Sequence, residues 1–184
     1  MTIAIIVIAV VVVLLLLYVI ATYNGLVRLR NRVENAWAQI DVQLKRRLDL
    51  IPNLVETVKG YAGHERQTLD AVVQARNAGI AAQGPQQEAQ ADNQITGALR
   101  QLFALSEAYP DLKANQNFLS LQEELTATED RISYARQFYN DEVLKYDNKL
   151  ETIPSKFIAG MFNFTPREYF KAEEGATEVP RVQF

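Results

Sequence analysis

The chain opens on an unbroken apolar run. From Ile3 to Ile20 every side chain is aliphatic or aromatic, and the first charged side chain is Arg28. A helix rising about 1.5 Å per residue needs about 20 such residues to cross about 30 Å of hydrocarbon, and Ile3 to Tyr23 meets that length. A helix also satisfies its backbone within one segment, as lipid demands. Tyr18 and Tyr23 fall toward the far interface, where amphipathic rings settle. A cleaved secretory signal fits poorly. Met1-Thr2 has no basic side chain, the apolar run is too long, and Ala21-Thr22-Tyr23-Asn24 offers no small-x-small site. Residues 1–25 are therefore read as an uncleaved transmembrane anchor.

Beyond the anchor the apolar positions keep a helical period. Leu26, Leu29, Val33, Trp37, Ile40, Leu44, Leu48, Ile51, Val55, Val58 and Ala62 recur at about 3.6 residues, not the 2.0 of a strand. The phase passes through Pro52 without a slip, so the proline predicts a kink rather than a helix end. Leu69, Val72 and Val73 stay on the stripe, which lets the helix run on past Gly60 and Gly63. The signal fades after Arg76, and Gln83-Gly84-Pro85 reads as the clearest loop.

Two more helical stretches follow. One is centred on Ile95, Leu99, Leu102 and Leu105 and ends at Tyr109-Pro110. The other runs from Phe118 through Leu125, Ile132, Tyr139 and Tyr146 to Leu150, with Thr128 as its polar member bonding its own preceding turn. Helix ends at Ile153-Pro154. The aromatic-rich stretch from Lys156 to Phe170 predicts a short segment packed on the bundle.

The predicted fold is all-α, an N-terminal transmembrane helix followed by an antiparallel bundle of long helices. Its parts are the anchor (1–25), the bundle (26–153), a short packed C-terminal segment (154–170) and a flexible tail (171–184). A first helix continuous with the anchor would span about 90 Å from Ile3 to Ala62; Asn24-Gly25 is the place for a hinge instead.

Charge adds an orientation. Arg28, Arg30 and Arg32 form a basic collar beside the span, followed by Lys45, Arg46 and Arg47, whereas the N-terminal flank carries no basic side chain. Basic residues close to a span favour the cytoplasmic side, which predicts a single-pass protein with a cytoplasmic body. The net charge of −3 leaves the distal body acidic. A basic collar and an acidic body suit anionic lipid headgroups and do not suit nucleic acid.

Candidate chemistry is sparse. Zero cysteines exclude disulfides and thiolate sites, and one histidine, His64, cannot build the paired-histidine sites of metalloproteases or di-iron bundles. Neither a G-x-S-x-G turn nor a phosphate-binding glycine loop occurs. Glu123-Glu124 and Glu173-Glu174 are adjacent, so they point to different helix faces and make no acid–base pair. No cofactor, metal or small-molecule substrate is implied, and His64 reads as a surface residue beside a helix bend.

One constellation stands out. Asn35, Gln39, Arg46 and Asn53 recur opposite the apolar stripe, with Arg47 and Asp49 beside them. Asp49 is placed to pair with Lys45 or Arg46, and Asp41 with Lys45. The face is either an ordinary wet one or a second packing surface for another copy or a partner's helix. Amides and arginine suit specific hydrogen bonds better than Lys and Glu do. Trp37, on the stripe, reads as core, with an exposed interface anchor as the alternative.

Three blocks carry a resemblance. They are Tyr23-Asn24-x-Leu26-Val27-x-Leu29-Arg30-Asn31, NAWAQIDVQLKRRLDLIPNLVETVKGYAGHE from Asn35 to Glu65, and YPDLKANQNFLSLQEELTATEDRISYARQFYNDEV from Tyr109 to Val143. The sequence resembles the LemA family, single-span bacterial membrane proteins with a helical bundle. The resemblance implies a bacterial cell (inner) membrane location and no established enzymatic activity. Some relatives take part in magnetosome membrane formation, and some occur beside a membrane metalloprotease. Others carry a lipobox cysteine before the Tyr-Asn, which would put their body outside the cytoplasm; here Ala21-Thr22 stands instead. The expected function is a non-enzymatic, homo-oligomeric scaffold or adaptor at the lipid bilayer. The alternative is a regulatory subunit binding another membrane protein, such as a protease or transporter.

Overall fold

A computed structural model describes residues 1–171. The described residues form α1 (Thr2–Ala62), α2 (Arg66–Ala81), α3 (Gly84–Ser106), α4 (Pro110–Lys113), α5 (Gln116–Glu151) and α6 (Ser155–Met161), with no strand among them. The fold is all-α. α1 is one unbroken helix through both Asn24-Gly25 and Pro52. Its apolar start is long enough to cross a membrane, and none of that stretch is buried in the protein. The proposed tail lies, after Lys171, outside the described residues.

The chain divides into two compact units. The first comprises Met1–Ala38 and Phe138–Glu168. In it Trp37 of α1 meets Tyr139 of α5 with ring centroids 5.4 Å apart. The Tyr139 hydroxyl donates to the Glu168 carbonyl at 2.7 Å. Burial, above all, pushes that hydroxyl's pKa up to about 12. Arg167 pairs with Glu34 at 3.0 Å, and the Arg30 guanidinium lies over the Phe164 ring.

The second unit comprises Gln39–Gln137 and, of the described residues, Tyr169–Lys171. Its core gathers Ile51, Leu54 and Val58 of α1, Leu69 and Val72 of α2, and Leu99 and Leu102 of α3, closed by Leu112 and Phe118. Within it α1 and α5 run antiparallel, since Arg46 meets Glu124 whereas Tyr61, further along α1, meets Asn115 just ahead of α5. Asn115 caps α5, its Oδ1 accepting from the Phe118 amide at 3.0 Å. Thr128 Oγ1 donates to the Glu124 carbonyl at 2.8 Å, so this polar residue satisfies itself while fully buried.

Three local departures from the pattern have physical causes. α1 ends at Ala62 instead of running past Gly63, and α2 starts afresh at Arg66. A Cβ on Gly63 would lie 2.9 Å from the Lys59 carbonyl oxygen, a backbone atom that cannot step aside, so glycine fits this turn. α2 runs on to Ala81, beyond the fading signal at Arg76. Gly79, which weakens that signal, lets α2 approach closely: a Cβ there would lie 2.8 Å from Leu48 Cδ2 and 3.1 Å from Ile95 Cδ1. Gly84-Pro85 opens α3 instead of extending a loop. Gly84 adopts φ +79° and Pro85 occupies the first turn, where its missing N–H costs nothing.

Pro52 is accommodated by a tertiary contact. A proline at 52 leaves the carbonyl of residue 48 without its intrahelical donor. Arg76 Nε of α2 supplies one, donating to the Leu48 carbonyl at 3.0 Å. Arg76→Leu is expected to destabilise the protein by about 1–3 kcal/mol, the cost of a part-buried acceptor left without a partner. In a Pro52→Ala background, where the helix can bond its own carbonyl, the same substitution is expected to cost much less. Denaturant melts of the four proteins in this cycle read the coupling, and equal costs in both backgrounds would refute the account.

Candidate functional site

Of the six residues marked by the sequence as a possible packing surface, Asn35, Gln39, Arg46, Asp49 and Asn53 are exposed on α1. Asn35 belongs to the first compact unit and the other four to the second. Arg46 pairs with Glu124 of α5 at 2.6 Å rather than with Asp49, and both partners stay in water. Val42, which the sequence did not mark, is 60% exposed in the same row. Gln39, Val42, Arg46, Asp49 and Asn53 therefore follow at alternating steps of three and four along one water-facing strip of α1. A lone polar-flanked valine is a weak sequence signal, and only its exposure reveals it.

Arg47 is the correction. It is 3% exposed and lies inside the second unit. The cause is register: Arg47 sits three residues after Leu44 and four before Ile51, at the centre of the buried stripe. Its neighbour Leu48, which the apolar pattern favoured, is only half-buried at the edge.

Around Arg47 a buried ionic cluster joins three helices. Nη1 lies 2.6 Å from both Asp92 Oδ1 of α3 and Glu129 Oε2 of α5. Nη2 donates to Thr96 Oγ1 at 3.0 Å. Arg136 of α5 approaches Asp92 Oδ2 at 3.7 Å and lies over the Phe170 ring, 4.8 Å from its centroid. Two arginines thus meet two carboxylates, which is how charge survives burial.

Beside the cluster a cleft of about 330 Å³ is lined by α1, α2 and α3, with Asp41, Leu48, Arg76, Glu88 and Asp92 on its walls. Burial, reinforced by the nearby Asp41 carboxylate, raises the pKa of Glu88 to about 7, against the pull of a hydrogen bond from the Gly84 backbone. At the α1–α2 turn Tyr109 donates to Glu65 Oε1 at 2.9 Å and lies 2.7 Å from His64 Nε2. Two separate sequence blocks therefore converge there, and His64 sits exposed beside the bend, as its place in the sequence implied. Among the described residues no group of three or more His, Cys, Asp or Glu side chains is placed to hold a metal ion.

The collar divides. Arg28 and Arg32 are exposed, and Arg30 is half-buried under Phe164.

Because Arg47 neutralises a carboxylate that water cannot reach, Arg47→Met is expected to destabilise the protein by about 3 kcal/mol or more. Adding Asp92→Leu is expected to restore part of that loss, since the fully buried carboxylate is then removed with its partner, while Arg136 loses its contact to it. Thermal denaturation measures both; a double variant as unstable as the single one would contradict the pairing.

The comparisons with known proteins agree with this geometry. The model of the LemA family matches residues 36–184. Protein LemA of Metamycoplasma hominis is similar, 28% identical over 155 residues, covering 82% of this chain and 69% of that protein. Magnetosome protein MamQ 1 and Magnetosome protein MamQ 2 of Paramagnetospirillum magneticum are each 25% identical over 186 residues, covering 87% of this chain and 68% of theirs. Neither the family's description nor these names denote an enzymatic activity. Membership suggests a non-enzymatic, membrane-associated protein, and the apolar start of α1 is compatible with a single membrane pass. With a family match reaching from the middle of α1 to the end of the chain, this protein belongs to the LemA family.

Proposed function

We propose that this chain is a membrane-anchored, non-enzymatic helical scaffold that self-associates at the bacterial cell membrane. The start of α1 holds it in a single pass, and the basic collar Arg28, Arg30 and Arg32 favours a cytoplasmic body. The observation that carries self-association is the exposed strip Gln39, Val42, Arg46, Asp49 and Asn53. Its spacing is that of a helix–helix seam, and its amides, arginine and aspartate are hydrogen-bonding groups rather than a lysine-rich solvated face. Copies inserted in one bilayer by the same span stand parallel and at equal depth. Each strip then meets its own equivalent about a two-fold axis, with Val42 opposite Val42.

The relatives named for the magnetosome fit a part in organising a membrane, and no relative named above is named for a reaction. Were the strip instead to take a helix of another membrane protein, such as a protease or transporter, the chain would be a regulatory subunit. That protein would then co-purify with it from native membranes.

The test is the mass of the full chain in detergent across a concentration series. The native sequence is expected to exceed the monomer mass, and Val42→Glu to weaken association at least tenfold, about 1.4 kcal/mol, by burying like charges face to face. A monomer at every concentration overturns self-association. Undiminished assembly of the Val42→Glu variant removes this face from it.

A further inference from the structure

The first compact unit contains a helix with too much apolar surface for water. α6 buries Ser155, Ile158 and Ala159 on one side. On the other it presents Phe157 and Met161, each 69% exposed, with Ile153 just ahead at 70%. Ile153, Phe157 and Met161 are spaced by four residues. Phe157 and Met161 therefore share the solvent-facing side of α6, with Ile153 one step before it. Single exposed apolar residues are ordinary, but three large ones in a row mark a surface that something covers.

The same unit fixes where that surface lies. Asn163 adopts φ +55°, and Phe164 N–H reaches back to the Ala159 carbonyl at 3.0 Å while Asn163 N–H reaches Gly160 at 3.3 Å. This left-handed cap ends α6 and turns the chain sharply. The turn brings both flanking rings onto Tyr23 of α1: Phe162 at 4.8 Å between centroids and Phe164 at 5.7 Å. Tyr23 closes the apolar stretch of α1, and the guanidinium of Arg30 lies over Phe164. The end of α6 is thereby tied to the level at which the span leaves the hydrocarbon. Exposed cations lie beyond this level, Arg28 and Arg32 about 7 and 13 Å further along α1, and Lys156 stands beside Phe157 on α6.

We propose that α6 is a second membrane contact, an interfacial helix that sinks Ile153, Phe157 and Met161 into the headgroup–acyl boundary of the bilayer that α1 crosses. Aromatic and aliphatic side chains with nearby cations are the composition that partitions there, the apolar groups leaving water and the cations meeting anionic headgroups. The span supplies the proximity. A short segment that would bind a membrane weakly by itself is held against one by Tyr23, so its insertion is an intramolecular event. Contact at two points would fix the rotation of α1 about its own axis, which a single span leaves free. The inference rests on reading the start of α1 as a membrane span.

The chain has no native cysteine, so single cysteines report one position each. Phe157→Cys, Met161→Cys, Leu16→Cys and Asp141→Cys variants of the full chain would carry a polarity-sensitive fluorophore. They would be reconstituted in phosphatidylethanolamine–phosphatidylglycerol vesicles with nitroxide lipids at shallow or deep acyl positions. The expected result is loss of fluorescence to the shallow nitroxide at positions 157 and 161, loss to the deep one at position 16, and no loss to either at position 141. Labels at 157 and 161 that answer only to aqueous iodide would overturn the proposal. Labels there shielded from both iodide and lipid nitroxides would overturn it as well, since protein would then cover the face. Failure of quenching at position 16 would instead sink the span itself.

Discussion

A single backbone constraint runs through the whole arrangement: α1 has to remain one helix from Thr2 to Ala62, although it carries a proline at 52. Along an α-helix each interior carbonyl accepts from the amide four residues on, and Pro52 is the exception in α1 because it has no N–H. At the exception the chain borrows a donor from elsewhere, with Arg76 reaching the carbonyl that Pro52 leaves open. The consequence extends beyond one hydrogen bond. Both compact units take residues from this helix, so the apolar start and residues of the second unit's core belong to one element.

Charge acts in the second unit as packing does elsewhere. Arg47 occupies a position that an aliphatic residue would fill without penalty, and it is neutralised there by Asp92 and Glu129. Such a cluster adds little net stability compared with an apolar replacement, because desolvation opposes the attraction. Its directional requirement is stricter. A leucine tolerates a slipped turn, whereas a guanidinium bound to a carboxylate on each of two other helices tolerates only one register of α1 against α3 and α5. The contact of Gly79 with Leu48 and Ile95 adds a steric condition on the same three-way packing of α1, α2 and α3.

The fold was legible where periodicity alone decides it. The stripe from Leu26 to Ala62 and the one from Phe118 to Leu150 correctly announced α1 and α5, and the phase across Pro52 correctly announced a helix that continues. What escaped was set by partners distant in sequence. Arg47 looked like part of a wet face because a charged side chain at a stripe position is readable only once Asp92 and Glu129 are placed beside it. The helix signal faded after Arg76, and the role of Gly79 as a contact point depends on two other helices. The aromatic density from Phe157 to Phe170 announced a packed segment. Phe170 is indeed buried, but Phe157 and Met161 are exposed, and composition cannot tell a residue that meets protein from one left to another solvent. Val42 was invisible for the converse reason, being one apolar residue among polar ones.

If the exposed strip on α1 is where copies meet, geometry allows one simple arrangement. Identical spans in one bilayer hold identical helices parallel, so equal positions oppose each other. The most direct measurement is oxidative cross-linking of Val42→Cys in native membranes, in a chain with no other cysteine. A disulfide-linked homodimer, formed at residue 42 and absent when the cysteine is moved to the exposed residue 73 on α2, is the result this account predicts. A chain that stays monomeric under oxidation, or that links equally well from position 73, would contradict it.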